Sequence, residues 1–236
     1  DNDLILGFDG TWLCVDGQVA AYYLVSDVQN ADGTPLFPQE YDKEKWKRAA
    51  DAIKDIFDLG VYSLYKQYNE KGEIDPFLSY MNIHFATGEA NPELIFINND
   101  CNYAEADQNM APHGYGDGNG AYGATQNLVD AFFTRNGLPI DEDPSYVAKG
   151  YSTEDVHYPN TSWVRSNSKE KKGLITEAGT PNMYCNREPR FYVSILWHRE
   201  YSSQLAGPVD FLYGGANGGP TYDSPQCGYL MRKRQH

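Results

Sequence analysis

Two long stretches of the chain, residues 99–123 and 138–187, carry no hydrophobic periodicity and are punctuated by Gly, Pro, Asn and Asp. These residues favour turns, each for its own reason: glycine tolerates positive φ, proline fixes its own φ, and Asn and Asp bond their own backbone. Segments longer than about 15 residues without secondary structure are uncommon inside a compact domain, and such loops tend to carry function. A fold that accommodates both must be loop-rich, and function is sought first in those loops.

The regular elements are fewer. In Asp42–Gly60 the apolar residues Trp46, Ala49, Ala50, Ile53 and Phe57 fall on one face of a 3.6-residue period. That predicts a helix with Asp42 as N-cap and Gly60 just past its C-terminus, where only glycine takes a left-handed conformation cheaply. The small alanines at the centre of the stripe would let another helix approach closely. Ala31–Pro38, with one Gly and two Pro, reads as a turn. A second helix is expected to open at Thr125, with Leu128, Val129, Phe132 and Phe133 as its apolar stripe and Asn136-Gly137 as its end. Strands are expected over Glu93–Asn98, Phe191–Trp197, Val209–Tyr213 and Tyr229–Arg232, with Gly214–Gly219 as a flexible turn.

Several function classes can be set aside. The chain carries 33 Asp+Glu against 19 Lys+Arg, a net charge of −14, so a phosphate backbone would be repelled and nucleic acid is not an expected partner. Its apolar runs, such as Val19–Val25, stop well short of a membrane span. Cys14, Cys101, Cys185 and Cys227 form no Cys-x-x-Cys pair. Two disulfides in an exported protein are possible, but four buried small hydrophobes are favoured. The histidines at 84, 113, 157, 198 and 236 form no metal-binding helix motif, and neither a Gly-x-Ser-x-Gly elbow nor a Walker A loop is present. Gly118-Asn-Gly-Ala-Tyr-Gly123 matches the dinucleotide fingerprint, but it follows a loop instead of a buried strand, so a flexible loop is expected. Asp141-Glu142-Asp143 could help to hold a structural Ca²⁺ with backbone carbonyls, yet no EF-hand spacing supports this and solvation is the expected role. No cofactor is expected.

What the loops do hold is rings. Of the 19 tyrosines, many fall in segments without core periodicity. A ring face stacks on the C–H surface of a sugar while neighbouring amides and carboxylates bond its hydroxyls. Any single such tyrosine is more simply explained as the cap of a satellite core with its hydroxyl in water. As a set they suggest a ligand-facing group, for which the candidates are Tyr103, Tyr115, Tyr122, Tyr158, Trp163, Tyr213 and Tyr222. The alternative is a carbohydrate-active hydrolase using a pair of acidic residues across a glycosidic bond, whose spacing the sequence does not fix.

Some segments carry a resemblance. Thr125-Gln-Asn-Leu-Val-Asp-Ala-Phe-Phe133, followed by Asn136-Gly-Leu-Pro-Ile140, closely resembles a helix and loop of the SusD/RagB family. Asn186-Arg-Glu-Pro-Arg-Phe-Tyr192, Ser224-Pro-Gln-Cys-Gly-Tyr-Leu-Met-Arg-Lys233, and Pro35-Leu-Phe37 with Tyr41–Ala50 resemble further motifs of that family, in its order. The family often has Thr where this chain has Cys227. The resemblance implies a non-enzymatic, lipid-anchored glycan- or nutrient-binding protein on the outer membrane of Bacteroidetes-type bacteria. It would capture oligosaccharides and deliver them to a SusC-like TonB-dependent transporter. The implied fold is mostly α, on a tetratricopeptide-type helical scaffold, with an irregular loop-rich region and short β-strands. Residues 1–60 would be part of the scaffold and 61–236 the ligand-facing region. Family members are longer, so the chain reads as an internal portion. Arg187, Arg190 and Asp130, which lie in the motifs, are expected to be structural, since arginine forks bridge loops to helix ends through carboxylates and carbonyls.

Overall fold

The computed structural model describes residues 29–35, 43–97, 103–163, 171–202, 205–219, 225 and 227–232. The chain divides into two compact units, Asp1–Val61 and Tyr62–His236.

In the first unit, the turn expected after Ala31 is formed within residues 29–35: Gln29 bridges Pro35, and Gly33 at φ +82° closes it by donating to the Asn30 carbonyl (2.9 Å). Helix α1 spans Glu44–Asp58. Gly60 follows with φ +66°, and its N–H and that of Leu59 donate back to Phe57 and Asp55, the C-terminal stop expected from sequence. Asp42 lies outside the described residues; the position before the helix is Lys43, which contributes no side-chain cap. Lys47–Asp51 and Lys54–Asp58 pair one turn apart, worth about 0.2–0.5 kcal/mol each. The apolar stripe is open, for Trp46, Ile53 and Phe57 each remain more than half exposed.

Among the described residues the second unit contains four short α-helices, α2 (Pro76–Asn82), α3 (Tyr103–Met110), α4 (Gln126–Ala131) and α5 (Pro189–Ser194). Its strands are β1 (Val156–His157), β2 (Leu174–Thr176), β3 (Ile195–Trp197), β4 (Tyr201–Ser202), β5 (Gly207–Pro208) and β6 (Tyr229–Met231). They form antiparallel pairs β1–β2, β3–β6 and β4–β5, with Trp197 opposite Tyr229 in the second. Helix is sparser than the family resemblance implies, and most described residues of this unit are turns and irregular chain. The reason is local: glycine and proline recur too often for helices to propagate past a few turns.

The core that holds these pieces is aromatic. Phe77, Trp163, Phe191, Tyr192 and Trp197 are buried together. Trp163 stacks on Phe77 with ring centres 5.5 Å apart, and Trp197 stacks on Phe191 and on Tyr184, each at 5.2 Å. Such pairs add about 0.5–1.5 kcal/mol each beyond their area burial. Asp75 ties α2 into this core. One of its carboxylate oxygens accepts from the Phe77 and Leu78 N–H groups (3.1 Å each), and the other from Thr161 Oγ1 (2.9 Å) and the Ser162 N–H (2.7 Å).

Four expectations are corrected. Phe191–Trp197 is not one strand: it is the end of α5 followed by β3, since Pro189 at the first helical position pre-sets φ and starts a helix. All seven residues are buried, so the apparent alternation reported no inside and outside. Glu93–Ile97 makes turns instead of a strand, with Ile95, Phe96 and Ile97 exposed, while Asn98 lies outside the described residues. Of Val209–Tyr213, Val209 alone extends the β4–β5 pairing, by exchanging hydrogen bonds with Arg199 and Glu200. The helix expected at Thr125 is present, with Thr125 Oγ1 accepting from the Leu128 N–H (3.3 Å), but it stops at Ala131, well before Asn136.

Candidate functional site

The loops of the second unit are fixed to the core by a buried cation. Arg187 is fully buried. Its Nη2 donates to the carbonyls of Val129 and Phe132 (2.7 Å each) and its Nη1 to that of Met183 (3.1 Å), so its fork closes the end of α4. The Val129 and Phe132 carbonyls have no partner within a helix that ends there, and the negative end of the helix favours a cation. The backbone of the same residue accepts from Tyr158 Oη and donates to Tyr192 Oη (3.0 Å). Arg190 pairs with Glu188, which also accepts from the Phe133 N–H, and Asp130 accepts from Gln126. Arg187 is thus structural, as expected, whereas the bonds of Arg190 and Asp130 are exposed and reach only two and four residues along the chain.

Two of the candidate ligand residues therefore belong to the core. Trp163 is 7% exposed, with Phe77 stacked on it and the Arg232 guanidinium 5.1 Å from its ring centre. Tyr158 packs edge-on against Phe77 and Tyr192, spends its hydroxyl on the Arg187 carbonyl and carries the Arg135 guanidinium 4.5 Å from its ring centre. Burial pushes the Tyr158 hydroxyl up to about 12. Neither ring is offered to a ligand in this structure, because packing partners already occupy it. Tyr222 lies outside the described residues.

The other four candidates are exposed: Tyr103 by 44%, Tyr115 by 40%, Tyr122 by 45% and Tyr213 by 86%. They are carried by three segments that hydrogen bonds join into one assembly. Loop 111–124 folds back on α3, where the Asn109 carbonyl accepts from Ala121 (2.8 Å) and Tyr122 (2.9 Å) and the Gln108 carbonyl from Asn119 (2.9 Å). Loop 210–219 joins it through the buried Asn217, whose Nδ2 donates to the His113 carbonyl (2.5 Å). Met231 of β6 donates to the Tyr122 carbonyl (2.8 Å).

The glycines explain the false nucleotide fingerprint. A Cβ on Gly118 would collide with the Pro112 carbonyl oxygen, and one on Gly123 with Cys227 Sγ. The motif allows close packing behind α3 rather than the flexibility expected of it. Of the expected loop 99–123, residues 103–110 are helical instead.

Acidic chemistry is differently placed from its expected setting. Asp143 is buried, not solvated; it accepts from Thr134 Oγ1 (2.5 Å) and from the Ser145 N–H and Oγ, and these bonds, led by Thr134, pull its carboxyl down to about 2. It anchors the turn of the Asn136-Gly-Leu-Pro-Ile140 segment. Among the described residues no group of three or more His, Cys, Asp or Glu is placed to hold a metal ion. Nor is any described helix long and apolar enough to cross a membrane. A cleft of about 470 Å³ opens beside α2 between Tyr65, Tyr80, His84 and Asn91, and none of the candidate rings lines it.

The model of the SusD family matches residues 86–236, which include the whole loop assembly and Arg187. No curated protein matches the chain. Of the solved structures, one described as "selenomethionine BT4246" is similar in fold, with a TM-score of 0.57 and 20% sequence identity over 89% of this chain. The chain spans 41% of the length of that structure.

Proposed function

The chain belongs to the SusD family, and from that premise we propose that it binds an oligosaccharide or other nutrient at the cell surface and passes it to a SusC-like TonB-dependent transporter. The observation that carries the reading is that the family match spans the assembly on which Tyr103, Tyr115, Tyr122 and Tyr213 stay exposed. Exposed rings on well-tethered loops, beside amides such as the Asn109–Asn119 pair (3.0 Å), suit a ligand with alternating C–H faces and hydroxyls. The protein acts by holding its ligand, without chemistry on it. Its setting in this reading is the outer membrane of Bacteroidetes-type bacteria, reached through a lipid anchor. Helix α1, with its open apolar stripe, is the part suited to a tetratricopeptide-type scaffold.

The test is calorimetry across a panel of plant, host and microbial oligosaccharides, with product analysis of each mixture. Binding of at least one glycan without product release supports the reading. Binding of none, or cleavage that disappears on an Asp or Glu substitution, overturns it. Co-purification with the co-expressed transporter barrel tests the partner, and failure to co-purify counts against delivery.

A further inference from the structure

We propose that the polar cleft walled by residues 151–157 and 182–186 is a second carbohydrate subsite, one that takes a neutral sugar unit. The proposal rests on the carbohydrate-binding reading above and adds a place lined by none of Tyr103, Tyr115, Tyr122 or Tyr213. The cleft holds about 360 Å³, within the ~300–1,000 Å³ of ordinary small-molecule sites. Tyr151, Asp155, His157, Asn182, Asn186 and Arg135 contribute to its lining.

Its walls are held by backbone pairing. Ser152 donates to the Thr180 carbonyl (2.8 Å), Asn182 to that of Gly150 (3.0 Å) and Arg135 to that of Asn186 (2.8 Å). The polar side chains are oriented as well. Arg135 Nη1 donates to Asn186 Oδ1 (3.1 Å) and its Nη2 to the His157 carbonyl (3.5 Å), while the guanidinium lies over the Tyr158 ring; each terminal nitrogen keeps one further N–H. Asn186 sits at φ +55°, a left-handed conformation that asparagine adopts more readily than most residues. Asn182 Nδ2 is held by the Lys149 carbonyl (2.8 Å), and one Asp155 oxygen by the Ala178 N–H (2.8 Å). Tyr151, 71% exposed, leaves its ring open beside these groups.

Charge decides the ligand class. One guanidinium stands among two carboxylates, Glu154 and Asp155, so the cleft has no excess of positive charge to attract a phosphate or a uronate. It does present donors and acceptors together. A sugar hydroxyl is both at once, and the open Tyr151 ring suits the C–H face of the same sugar. Two separated subsites on one chain would let a long oligosaccharide gain affinity through a raised effective concentration at the second.

The test titrates the 236-residue chain by calorimetry and by NMR with neutral hexasaccharides of glucose, mannose and xylose, and with inorganic phosphate. Tyr151→Ala and, independently, Arg135→Gln are each expected to weaken the bound hexasaccharide by about tenfold or more, or to remove one of two binding events, at an unchanged melting temperature. Tyr213→Ala should leave that event in place. Sugar binding by both cleft variants equal to the unmodified chain overturns the second subsite while leaving the proposed function standing. Displacement of the sugar from the cleft by phosphate overturns the choice of a neutral ligand. A chain that binds none of these hexasaccharides yet binds another glycan of the wider panel overturns the neutral subsite alone, and one that binds no glycan in either test overturns both.

Discussion

The guanidinium carbon of Arg187 lies 4.8 Å from the centre of the Phe191 ring, while its Nη2 caps the carbonyls of Val129 and Phe132. One side chain thus joins the end of α4 to the aromatic core through neutral partners. Hydrogen bonds to a charged group are worth about 1.5–3 kcal/mol each, and an orphaned buried acceptor costs about 1–3 kcal/mol. Arg187→Ala should destabilise the protein by about 3 kcal/mol or more in urea unfolding. Arg187→Lys should recover little, because a point charge on a flexible stem cannot serve carbonyls on separate segments. A loss below about 1 kcal/mol would mean that the fork is not what closes α4.

Asp75 bonds α2 with one carboxylate oxygen and the 161–162 segment with the other. Removing an N-cap costs about 0.5–2 kcal/mol, and the lost tie to Thr161 and Ser162 adds to it. Asp75→Ala should therefore lower stability by about 2–3 kcal/mol and raise hydrogen exchange in both segments together. Exchange that rises in α2 alone would contradict the tie.

Two groups of opposite sign illustrate the pH dependence, and burial also raises the hydroxyls of Tyr184 and Tyr192 in the same core as the second of them. Asp143 is held down to about 2 by Thr134 and Ser145, so its contribution is present above its ordinary value near 4 and is lost as pH falls through about 2. Tyr158 is pushed up to about 12 by burial, so its contribution is whole below its ordinary value near 10 and is lost as pH rises through about 12. Thermal melts from pH 2 to 12 should fall at both ends, and Asp143→Asn should flatten the acid limb alone. An unaltered acid limb in that variant would refute the assignment.

Core rings and exposed rings should separate cleanly in experiment. Trp163→Ala removes a buried indole and should cost about 3–5 kcal/mol. Tyr213→Ala, at 86% exposure, should change stability by less than about 0.5 kcal/mol. Chemical denaturation of the two variants checks this, and a large loss at Tyr213 would show that its ring is packed.

What was legible in the sequence was local chemistry with a single strong cause. Gly60 and Thr125 marked a helix end and a helix start because φ > 0 and an unpaired N–H each admit few residues. Arg187 was expected to be structural from its motif, and it is. The α5–β3 junction was hidden because Phe191–Trp197 is buried throughout, and a pattern without an outside carries no period. The fate of the tyrosines was hidden for a different reason. Tyr158 and Tyr115 look alike in sequence, yet one meets Phe77 and Tyr192 across long separations and the other stays at the surface. Asp75 did carry a readable signal, an Asp followed by Pro ahead of an apolar residue, which marks an N-cap with proline at the first helical position.

The central claim is that the exposed loop tyrosines hold a sugar. Its most direct test is calorimetric titration of the chain and of a Tyr115→Ala/Tyr213→Ala double variant with the glycan that binds best in the panel. The account predicts that the double variant unfolds at the same temperature and binds at least about tenfold more weakly, a loss of about 1.4 kcal/mol. Equal affinity of the two proteins for that glycan would contradict it.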